Sequence, residues 1–224
     1  MPYIGYFQLI NAVDKFIIYD DVNYIKQGWI NRNNILLNGQ GYLFSIPLKD
    51  ASSFKKINEI EINLALFLKW KEKFFKTIDS AYKKAPFYEE VTIILKRILD
   101  SNNNKINELI YTSLVEVCIY LSIKTQIEKT SSVYNNSALQ KEERLIDMCK
   151  KESANIYINP IGGQELYHKE YFLKNNIDLL FIKSKSLNYK QYNNNFVAWL
   201  SIIDVLMFNS PGAISEMLNQ YELI

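Results

Sequence analysis

The chain has 224 residues, of which 48% are hydrophobic and 22% are charged, and its formal net charge is +2. These proportions are typical of a globular protein with one substantial core. The small net charge and the lack of a polybasic run argue against a nucleic-acid-binding surface. The two cysteines, Cys118 and Cys149, lie far apart in helix-like segments, and no apolar stretch reaches the ~20 residues that span a bilayer. The sequence therefore predicts a reduced, cytoplasmic protein with no membrane span.

Apolar periodicity divides the chain into short strands and longer helices. Runs rich in aromatic and β-branched residues predict strands, and apolar residues at helical spacing predict helices. The predicted strands cover residues 16–20, 42–48, 57–62, 125–128, 155–159 and 178–182. The predicted helices cover residues 64–82, 91–98, 106–121, 141–153 and 165–174, and the apolar run 196–208 is expected to hold a buried helix.

The order of these elements predicts the fold class. Strand, loop, helix and strand at this spacing are typical of parallel βαβ units. We expect an α/β fold with a mainly parallel sheet flanked by helices, and a central helical insertion at about 64–122. Because no linker or internal repeat is visible, residues 1–224 are predicted to form a single α/β domain.

Polar residues follow three of the predicted strands at their carboxyl ends, where open parallel sheets bind ligands. If the strands are parallel, the three loops rim one crevice. The three groups are Asp20 with Asp21, Ser131 with Ser132, and Asn159 with Gly162 and Gly163.

The adjacent carboxylates Asp20 and Asp21 are the candidate catalytic groups. They could hold a divalent cation or act as a general base. Since neighbouring residues on a strand point to opposite faces, we expect only one of them to enter the site. The alternative is that they form a turn or cap a helix.

A cluster of aromatic and polar residues follows within a dozen positions. Arg32 could pair with a phosphate or carboxylate while Trp29 stacks on a ring. The alternative reading of Arg32 is a buried structural arginine. Tyr24, Asn31 and Asn33 belong to the same cluster and are candidate substrate contacts.

Two further features suggest anion binding. The segment that ends in Gly162 and Gly163 could present backbone amides to an anion at the start of the next helix, although a simple turn would also use glycine. Arg144 could reach a phosphate near Ser131, or it could form a salt bridge on the helix surface. The only histidine, His168, is expected on a solvated helix, and no Cys/His spacing fits a metal site.

Taken in order, six blocks of the sequence resemble the WbqC-like family. They span nearly the whole chain and include Gly5, Tyr6 and Tyr167 besides the candidates above. The blocks are GYFxLI, DxFIIYDDVxY, GWINRN, the stretch from Ser131 to Arg144, NPIGG with the following Leu166-Tyr167, and LSIID at 200–204.

The resemblance implies a cytoplasmic enzyme of bacterial O-antigen or other surface-polysaccharide biosynthesis. Its expected reaction transfers an aminoacyl group such as glycyl to the amine of an amino-sugar nucleotide. The expected partners are therefore a nucleotide-linked amino sugar and an acyl donor. The donor could be a free amino acid with ATP, a carrier thioester or a charged tRNA, and the sequence identifies no cofactor.

Acyl transfer of this kind needs a base, donors for an oxyanion, and cations for the diphosphate. Asp20 or Asp21 could be the base. Candidates for the donors are Asn31, Asn33 and Asn159, and candidates for the cations are Arg32 and Arg144.

Two alternatives stay open. The same residues suit a non-catalytic sugar-nucleotide or glycan-binding protein of a polysaccharide assembly complex. A nucleotidyl transferase is the other, because Gly5-Tyr6-Phe7 is similar to the His-x-Gly-His helix start of adenylyl transferases, although both histidines are lacking.

In members of the resembled family, an apolar strand and a Gln-Pro-x-Tyr-x-Pro segment precede the Gly-Tyr-Phe. This sequence starts Met1-Pro2-Tyr3, within that segment. The expectation is that Met1 is an internal methionine and that a first strand is missing, and an in-frame stop codon just upstream would contradict it.

Overall fold

The computed structural model describes residues 1–192 and 195–224, and these residues form eight α-helices and nine strands. The helices are α1 (Ile4–Asn11), α2 (Leu64–Tyr82), α3 (Tyr88–Asp100), α4 (Ile106–Tyr120), α5 (Lys141–Lys151), α6 (Lys169–Leu173), α7 (Ile202–Phe208) and α8 (Pro211–Leu218). The strands are β1 (Lys15–Ile17), β2 (Arg32–Leu37), β3 (Gln40–Ser45), β4 (Leu48–Lys49), β5 (Glu61–Ile62), β6 (Gln126–Glu128), β7 (Ile156–Pro160), β8 (Asp178–Ser184) and β9 (Tyr221–Leu223).

The strands form four small sheets, which corrects the prediction of one mainly parallel sheet. Two parallel pairs are present, β1 with β6 and β7 with β8, and β9 adds to β8 in the antiparallel sense. The pairs β2 with β3 and β4 with β5 are antiparallel. The mixed α/β class is therefore confirmed, but β1 and β7 each lie at the edge of a separate sheet.

The hairpin of β2 and β3 explains part of this difference. Its turn residues Asn38 and Gly39 have φ angles of 52° and 75°. Both angles lie in the left-handed region that a two-residue type I′ turn requires, and Asn-Gly favours that turn. The strand predicted at 42–48 is therefore shifted to Gln40–Ser45, and it pairs with Arg32–Leu37, where no strand was predicted. The strand predicted at 57–62 is a 3-10 helix, Ile57–Glu59, followed by the two-residue β5.

The three central helices α2, α3 and α4 occupy the segment predicted to be helical. The side chain of Asn63 caps α2 by accepting a hydrogen bond from the Leu66 amide (3.3 Å). Phe74, Ile78 and Tyr82 lie on the buried face of α2 at helical spacing. Burying each such side chain stabilises the fold by about 1.5–3 kcal/mol, so the apolar stripe fixes this helix against the core.

Two apolar clusters hold the ends of the parallel strands in place. The larger one joins α1 to α4, α7, α8 and the β2–β3 hairpin. The smaller one lies between α5, α6 and the strand β8, and Tyr19, Tyr157 and Tyr167 pack against it. The residues after β1 and β7 are therefore anchored from two sides.

A buried carboxylate ties the loop before α7 to the larger cluster. Asp204 accepts hydrogen bonds from the hydroxyls of Tyr82 (2.8 Å) and Tyr189 (2.6 Å) and from Gln191 Nε2 (2.6 Å). Burial raises the pKa of Asp204, and these three donors oppose the rise. The three hydrogen bonds join α2, the segment before α7 and α7 itself.

Candidate functional site

The loops that follow β1 and β7 border one large cavity, and the loop after β6 contacts the loop after β1. Asp20 follows β1 and contacts Ser131 after β6, whose Oγ accepts a hydrogen bond from the Asp20 amide (3.1 Å). The cavity measures about 1070 Å³ and is bordered by both Asp20 and Asn159. The predicted crevice is thus bordered by Asp20 and Asn159, whereas Ser131, Ser132, Gly162 and Gly163 lie outside its lining.

The cavity has a polar end and an apolar body. The polar end lies at the carboxyl ends of β1 and β7, and its side chains are Asp20, Asn33, Asn107, Asn159, Tyr167 and Trp29. Aliphatic side chains of α1, α4 and α5 line the body, including Leu9, Leu114 and Leu145. Lys15 and Glu152 form an ion pair at the opposite end (2.7 Å). A ligand with one polar, charged part therefore fits with that part near Asp20.

Asp20 is fully buried, and uncharged donors hold its carboxylate. Oδ1 accepts hydrogen bonds from Thr130 Oγ1 (2.7 Å) and from the Ser131 amide (3.2 Å). Oδ2 accepts one hydrogen bond, from Asn107 Nδ2 (2.8 Å). Because a carboxylate oxygen has about two acceptor positions, Oδ2 retains one.

Asp21 lies outside the cavity lining and is paired with Arg144. The two side chains are 6% and 5% exposed and form an ion pair between Asp21 Oδ2 and Arg144 Nη2. Burial alone would raise the pKa of Asp21, but hydrogen bonds from Arg144 and Ser131 outweigh burial, so the pKa is lowered. The expectation that one of two adjacent carboxylates faces the crevice fits this arrangement, with Asp20 as that residue.

Arg144 has neither of the two placements that its sequence context suggested. The guanidinium is buried, lies 4.7 Å from the centre of the Tyr19 ring, and has Asp21 as its anionic partner. It is therefore neither on the helix surface nor free for a phosphate. Asn136 fixes it further by accepting a hydrogen bond from Arg144 Nε (3.0 Å).

The two serines after β6 serve different neighbours. Ser131 is buried and donates its hydroxyl to Asp21. The hydroxyl of the exposed Ser132 accepts a hydrogen bond from Asn58 Nδ2 (2.9 Å). Both therefore hold the loop after β6 against neighbouring loops, Ser131 through Asp21 and Ser132 through Asn58.

Trp29 and Arg32 form a cationic platform, and its indole borders the cavity. Trp29 is 65% exposed and borders the cavity, and the Arg32 guanidinium carbon lies 5.4 Å from the centre of the indole. Arg32 donates from Nε to the Gly28 carbonyl (2.9 Å) and from Nη2 to the Gln27 carbonyl. Within residues 1–192 and 195–224 it makes no ion pair, so its charge is uncompensated.

Tyr24 and Asn31 stabilise the base of this platform. The Tyr24 hydroxyl donates to Asn31 Oδ1 (2.9 Å), and Asn31 Nδ2 donates to the Ile46 carbonyl (2.8 Å). Burial raises the pKa of Tyr24. Neither side chain borders the cavity, in contrast to Asn33, which does so while donating to the Met1 carbonyl (2.8 Å).

The glycines after β7 differ in how closely they are packed. A Cβ on Gly163 would lie 2.2 Å from Asn159 Oδ1, whereas a Cβ on Gly162 would meet nothing within 4 Å. Ile161–Gly163 is a 3-10 turn, and the following helix α6 begins only at Lys169. The expected anion site at a helix start directly after the glycines is therefore wrong. Gly163 instead leaves room for the Asn159 amide.

Gly5 and Tyr6 lie inside helix α1 and not in a loop. A Cβ on Gly5 would lie 2.3 Å from the Tyr3 ring and 2.7 Å from Ser184 Oγ, so glycine permits close packing of α1 there. Tyr6 borders the cavity and packs edge to face on Phe16. Burial raises the pKa of Tyr6 to about 12, so the phenol stays neutral at physiological pH.

Three site residues were missed by sequence reasoning. Asn107 is a buried polar residue in the first turn of α4, which is a detectable irregularity in an apolar stripe. Thr130 donates a hydrogen bond to Asp20, and it directly precedes the candidate residues Ser131 and Ser132. Trp199 borders the cavity and is 73% exposed, but it lies in an irregular segment whose pattern does not distinguish it.

Neither a metal-binding cluster nor a membrane-spanning helix is found in the described part of the chain. Residues 1–192 and 195–224 contain no group of three or more His, Cys, Asp or Glu side chains placed to hold a metal ion. His168 is exposed next to Glu142. Across the same ranges, every helix is too short or too polar to cross a bilayer.

The fold and the cavity together define a mixed α/β protein with a large, mainly apolar cavity that has polar residues at the carboxyl ends of two parallel strands. The model of the WbqC-like protein family matches residues 1–216, so the chain belongs to that family. It is also similar to the uncharacterized protein Rv1507c of Mycobacterium tuberculosis, with 29% identity over 212 residues that cover 93% of this chain and 89% of that protein. No solved structure matches the chain significantly.

Proposed function

We propose that this protein is a cytoplasmic enzyme of bacterial surface-polysaccharide biosynthesis that transfers an aminoacyl group, of the glycyl type, to the amine of an amino-sugar nucleotide. Membership of the WbqC-like family supports the biological setting. The observation that carries the chemistry is the position of one carboxylate, Asp20, on a cavity that Trp29 of the Trp29–Arg32 platform also borders.

The platform suits the nucleotide part of the acceptor. Trp29 offers an exposed aromatic face on which a base or sugar ring stacks. Arg32 has an uncompensated charge and keeps its Nη1 hydrogens available, which suits a diphosphate. Since Asp21 occupies Arg144, we assign the phosphate contact to Arg32 and not to Arg144.

Asp20 is the better candidate for the base because Asp21 is neutralised by Arg144. In the proposed step, Asp20 Oδ2 takes a proton from the acceptor ammonium, and the free amine attacks the acyl carbonyl of the donor. The new C–N bond forms as the bond to the donor's leaving group breaks, and that group departs with the electron pair and takes up the second proton that the nitrogen loses. Asn33 and Asn159 border the cavity and are assigned as amide donors to the developing oxyanion.

The test is mass spectrometry of candidate amino-sugar nucleotides incubated with the protein and one acyl donor at a time. The donors are an amino acid with ATP, a carrier thioester and an aminoacyl-tRNA. The proposal expects the acceptor to gain the mass of one aminoacyl residue with one donor class. Unchanged acceptor mass with all three would contradict it.

One observation favours a second candidate, a non-catalytic sugar-nucleotide-binding protein. Asp20 is fully enclosed and accepts hydrogen bonds from Thr130, Ser131 and Asn107, as a structural carboxylate would. Binding would then use Trp29 and Arg32 alone. Calorimetry that detects acceptor binding, combined with no turnover for any donor, would select this function.

A further inference from the structure

One aromatic residue at the cavity is held in a backbone conformation that its own packing does not offset. Trp199 has a φ angle of 62°, in the left-handed region where a bulky side chain is strained. Its side chain is 73% exposed. In the described ranges its one aromatic partner is Tyr3, which it meets edge to face at 5.8 Å. Burial of the indole therefore contributes little against the strain.

Tyr192 shows how the same strain is offset elsewhere in this segment. Its φ angle is 49°, so its backbone is also left-handed. The ring packs edge to face on Phe208 (4.8 Å), and the hydroxyl donates to the Ala81 carbonyl (2.9 Å). The protein itself therefore compensates the strain at Tyr192, whereas the indole of Trp199 stays exposed beside the cavity.

The backbone is fixed on both sides of Trp199. Two residues before it, the Val197 amide donates to Gln191 Oε1 (2.7 Å) and the Val197 carbonyl accepts from Gln191 Nε2 (3.0 Å). Two residues after it, the Ser201 amide donates to the Asn34 carbonyl (2.8 Å). Strained residues persist where the surrounding structure determines them in this way, and they are concentrated at functional sites.

The segment that carries Trp199 lies against the polar end of the cavity. Ser201 Oγ and Asn33 Nδ2 both donate to the Met1 carbonyl, at 3.0 Å and 2.8 Å. Asn33 borders the cavity and is one of the proposed oxyanion donors. The exposed indole of Trp199 is therefore close to the place where the acyl carbonyl is proposed to react.

The acceptor of the proposed reaction has two rings, a nucleobase and an amino sugar, joined through a diphosphate. The Trp29–Arg32 platform is the proposed contact of the diphosphate, so the adjoining base is assigned to Trp29. The amino sugar has to lie next to the oxyanion donors, because its nitrogen attacks the acyl carbonyl there. The negative face of an indole attracts the weakly positive C–H groups of a sugar face.

We infer that Trp199 stacks on the sugar ring of the acceptor, and that this contact makes the site selective for sugar nucleotides over free nucleotides. The contact uses an indole whose strained backbone the fold maintains without burying the ring. The inference rests on the proposed function for the identity of the ligand. It concerns binding, so it needs no turnover.

The test is calorimetry with two probes that differ only by the sugar, UDP-glucosamine and UDP. Trp199→Gly removes the indole and suits the left-handed backbone. We expect this variant to bind UDP-glucosamine at least about tenfold more weakly than the wild type, and UDP within about twofold of the wild type. Trp199→Phe keeps an aromatic face and should recover most of the lost affinity. Trp29→Ala should weaken both probes equally, because both carry the base and the diphosphate.

Thermal melting separates a ligand contact from a structural tryptophan. Relief of the strain should raise the melting temperature of Trp199→Gly by about 2–4 °C. The matched control is Tyr192→Gly, which has the same backbone region but loses the packing on Phe208 and the hydrogen bond to Ala81, so its melting temperature should fall.

Four results would overturn the inference. They are unchanged affinity of Trp199→Gly for UDP-glucosamine, equal losses of affinity for both probes, a melting temperature of Trp199→Gly below that of the wild type, and a wild type that binds neither probe. The mass-spectrometric assay distinguishes this inference from the proposed reaction. Sugar selectivity that depends on Trp199 without any acyl transfer would remove the reaction and keep the contact, whereas product formation with affinity independent of Trp199 would remove the contact alone.

Discussion

The Asp21–Arg144 pair is the most enclosed ion pair in the described residues, and its removal should be costly. Both side chains are about one-twentieth exposed, at 6% and 5%. Replacing Arg144 by Met keeps much of the side-chain volume but leaves the Asp21 carboxylate buried with Ser131 as its remaining side-chain donor. Breaking a buried pair in this way costs about 3–5 kcal/mol in the free energy of unfolding.

The magnitude is large against the total stability of a domain, about 5–15 kcal/mol. The assay is urea unfolding followed by far-UV circular dichroism, with the midpoint and the slope both fitted. The matched control is Lys49→Met, because the Lys49–Glu61 pair has similar geometry (3.1 Å) but side chains that are 59% and 53% exposed. This control should not measurably change the midpoint.

A double-mutant cycle separates the pair from other effects. Asp21→Asn alone leaves a buried guanidinium, whereas Asp21→Asn with Arg144→Met leaves no buried charge from the pair. The double variant should therefore lose less stability than the sum of the two single losses, by at least about 1–2 kcal/mol. If Arg144→Met unfolds at the same urea concentration as Lys49→Met, the pair is not the buried anchor described above.

Three further outcomes are expected. Gly163→Ala should destabilise the protein by about 1–3 kcal/mol in a thermal melt, since the new Cβ would lie 2.2 Å from the Asn159 amide oxygen. The control Gly162→Ala should leave the melting temperature unchanged, because its Cβ would meet no atom within 4 Å. Trp29→Ala should weaken binding of an amino-sugar nucleotide in calorimetry by about tenfold through lost stacking, and Phe54→Ala, at a side chain 94% exposed and away from the cavity, should not. The folded pKa of Asp21 lies below its ordinary 3.8, so the stabilisation by this carboxylate is present above pH 3.8 and is lost as the pH falls through the folded pKa. Urea midpoints measured from pH 6 to pH 3 should therefore fall less steeply for Asp21→Asn than for the wild type. Parallel curves for the two proteins would contradict this.

The helices were predictable because their apolar stripes are long and regular. The helix predicted at 64–82 matches α2, and the segments around α3, α4 and α5 were also identified. The hairpin β2–β3 was missed although Asn38-Gly39 is a strong local turn signal, because Arg32 and Asn33 were interpreted as site residues and not as strand residues. The single parallel sheet was wrong because strand period does not reveal which edges pair.

The site was only partly predictable from the sequence. The rule that ligands bind beyond the carboxyl ends of parallel strands identified Asp20 and Asn159, which border one cavity, and Ser131, which contacts Asp20 outside that lining. The rule could not show that Arg144 forms an ion pair with Asp21, because the two residues are far apart in sequence and meet only through packing of α5. Asn107 is detectable as a polar residue in an apolar stripe, but its contact with Asp20 was not predictable, since the two lie 87 positions apart.

The central claim is that Asp20 acts as the base in aminoacyl transfer to an amino-sugar nucleotide. The most direct measurement compares Asp20→Asn with the wild type for acceptor affinity by calorimetry and for acylated product by mass spectrometry, on samples whose circular dichroism is native. Asp178→Asn, at an exposed strand residue outside the cavity lining, is the control. The claim predicts that Asp20→Asn binds the acceptor with nearly unchanged affinity and loses turnover by at least about 100-fold. Undiminished turnover in the folded Asp20→Asn variant would contradict it.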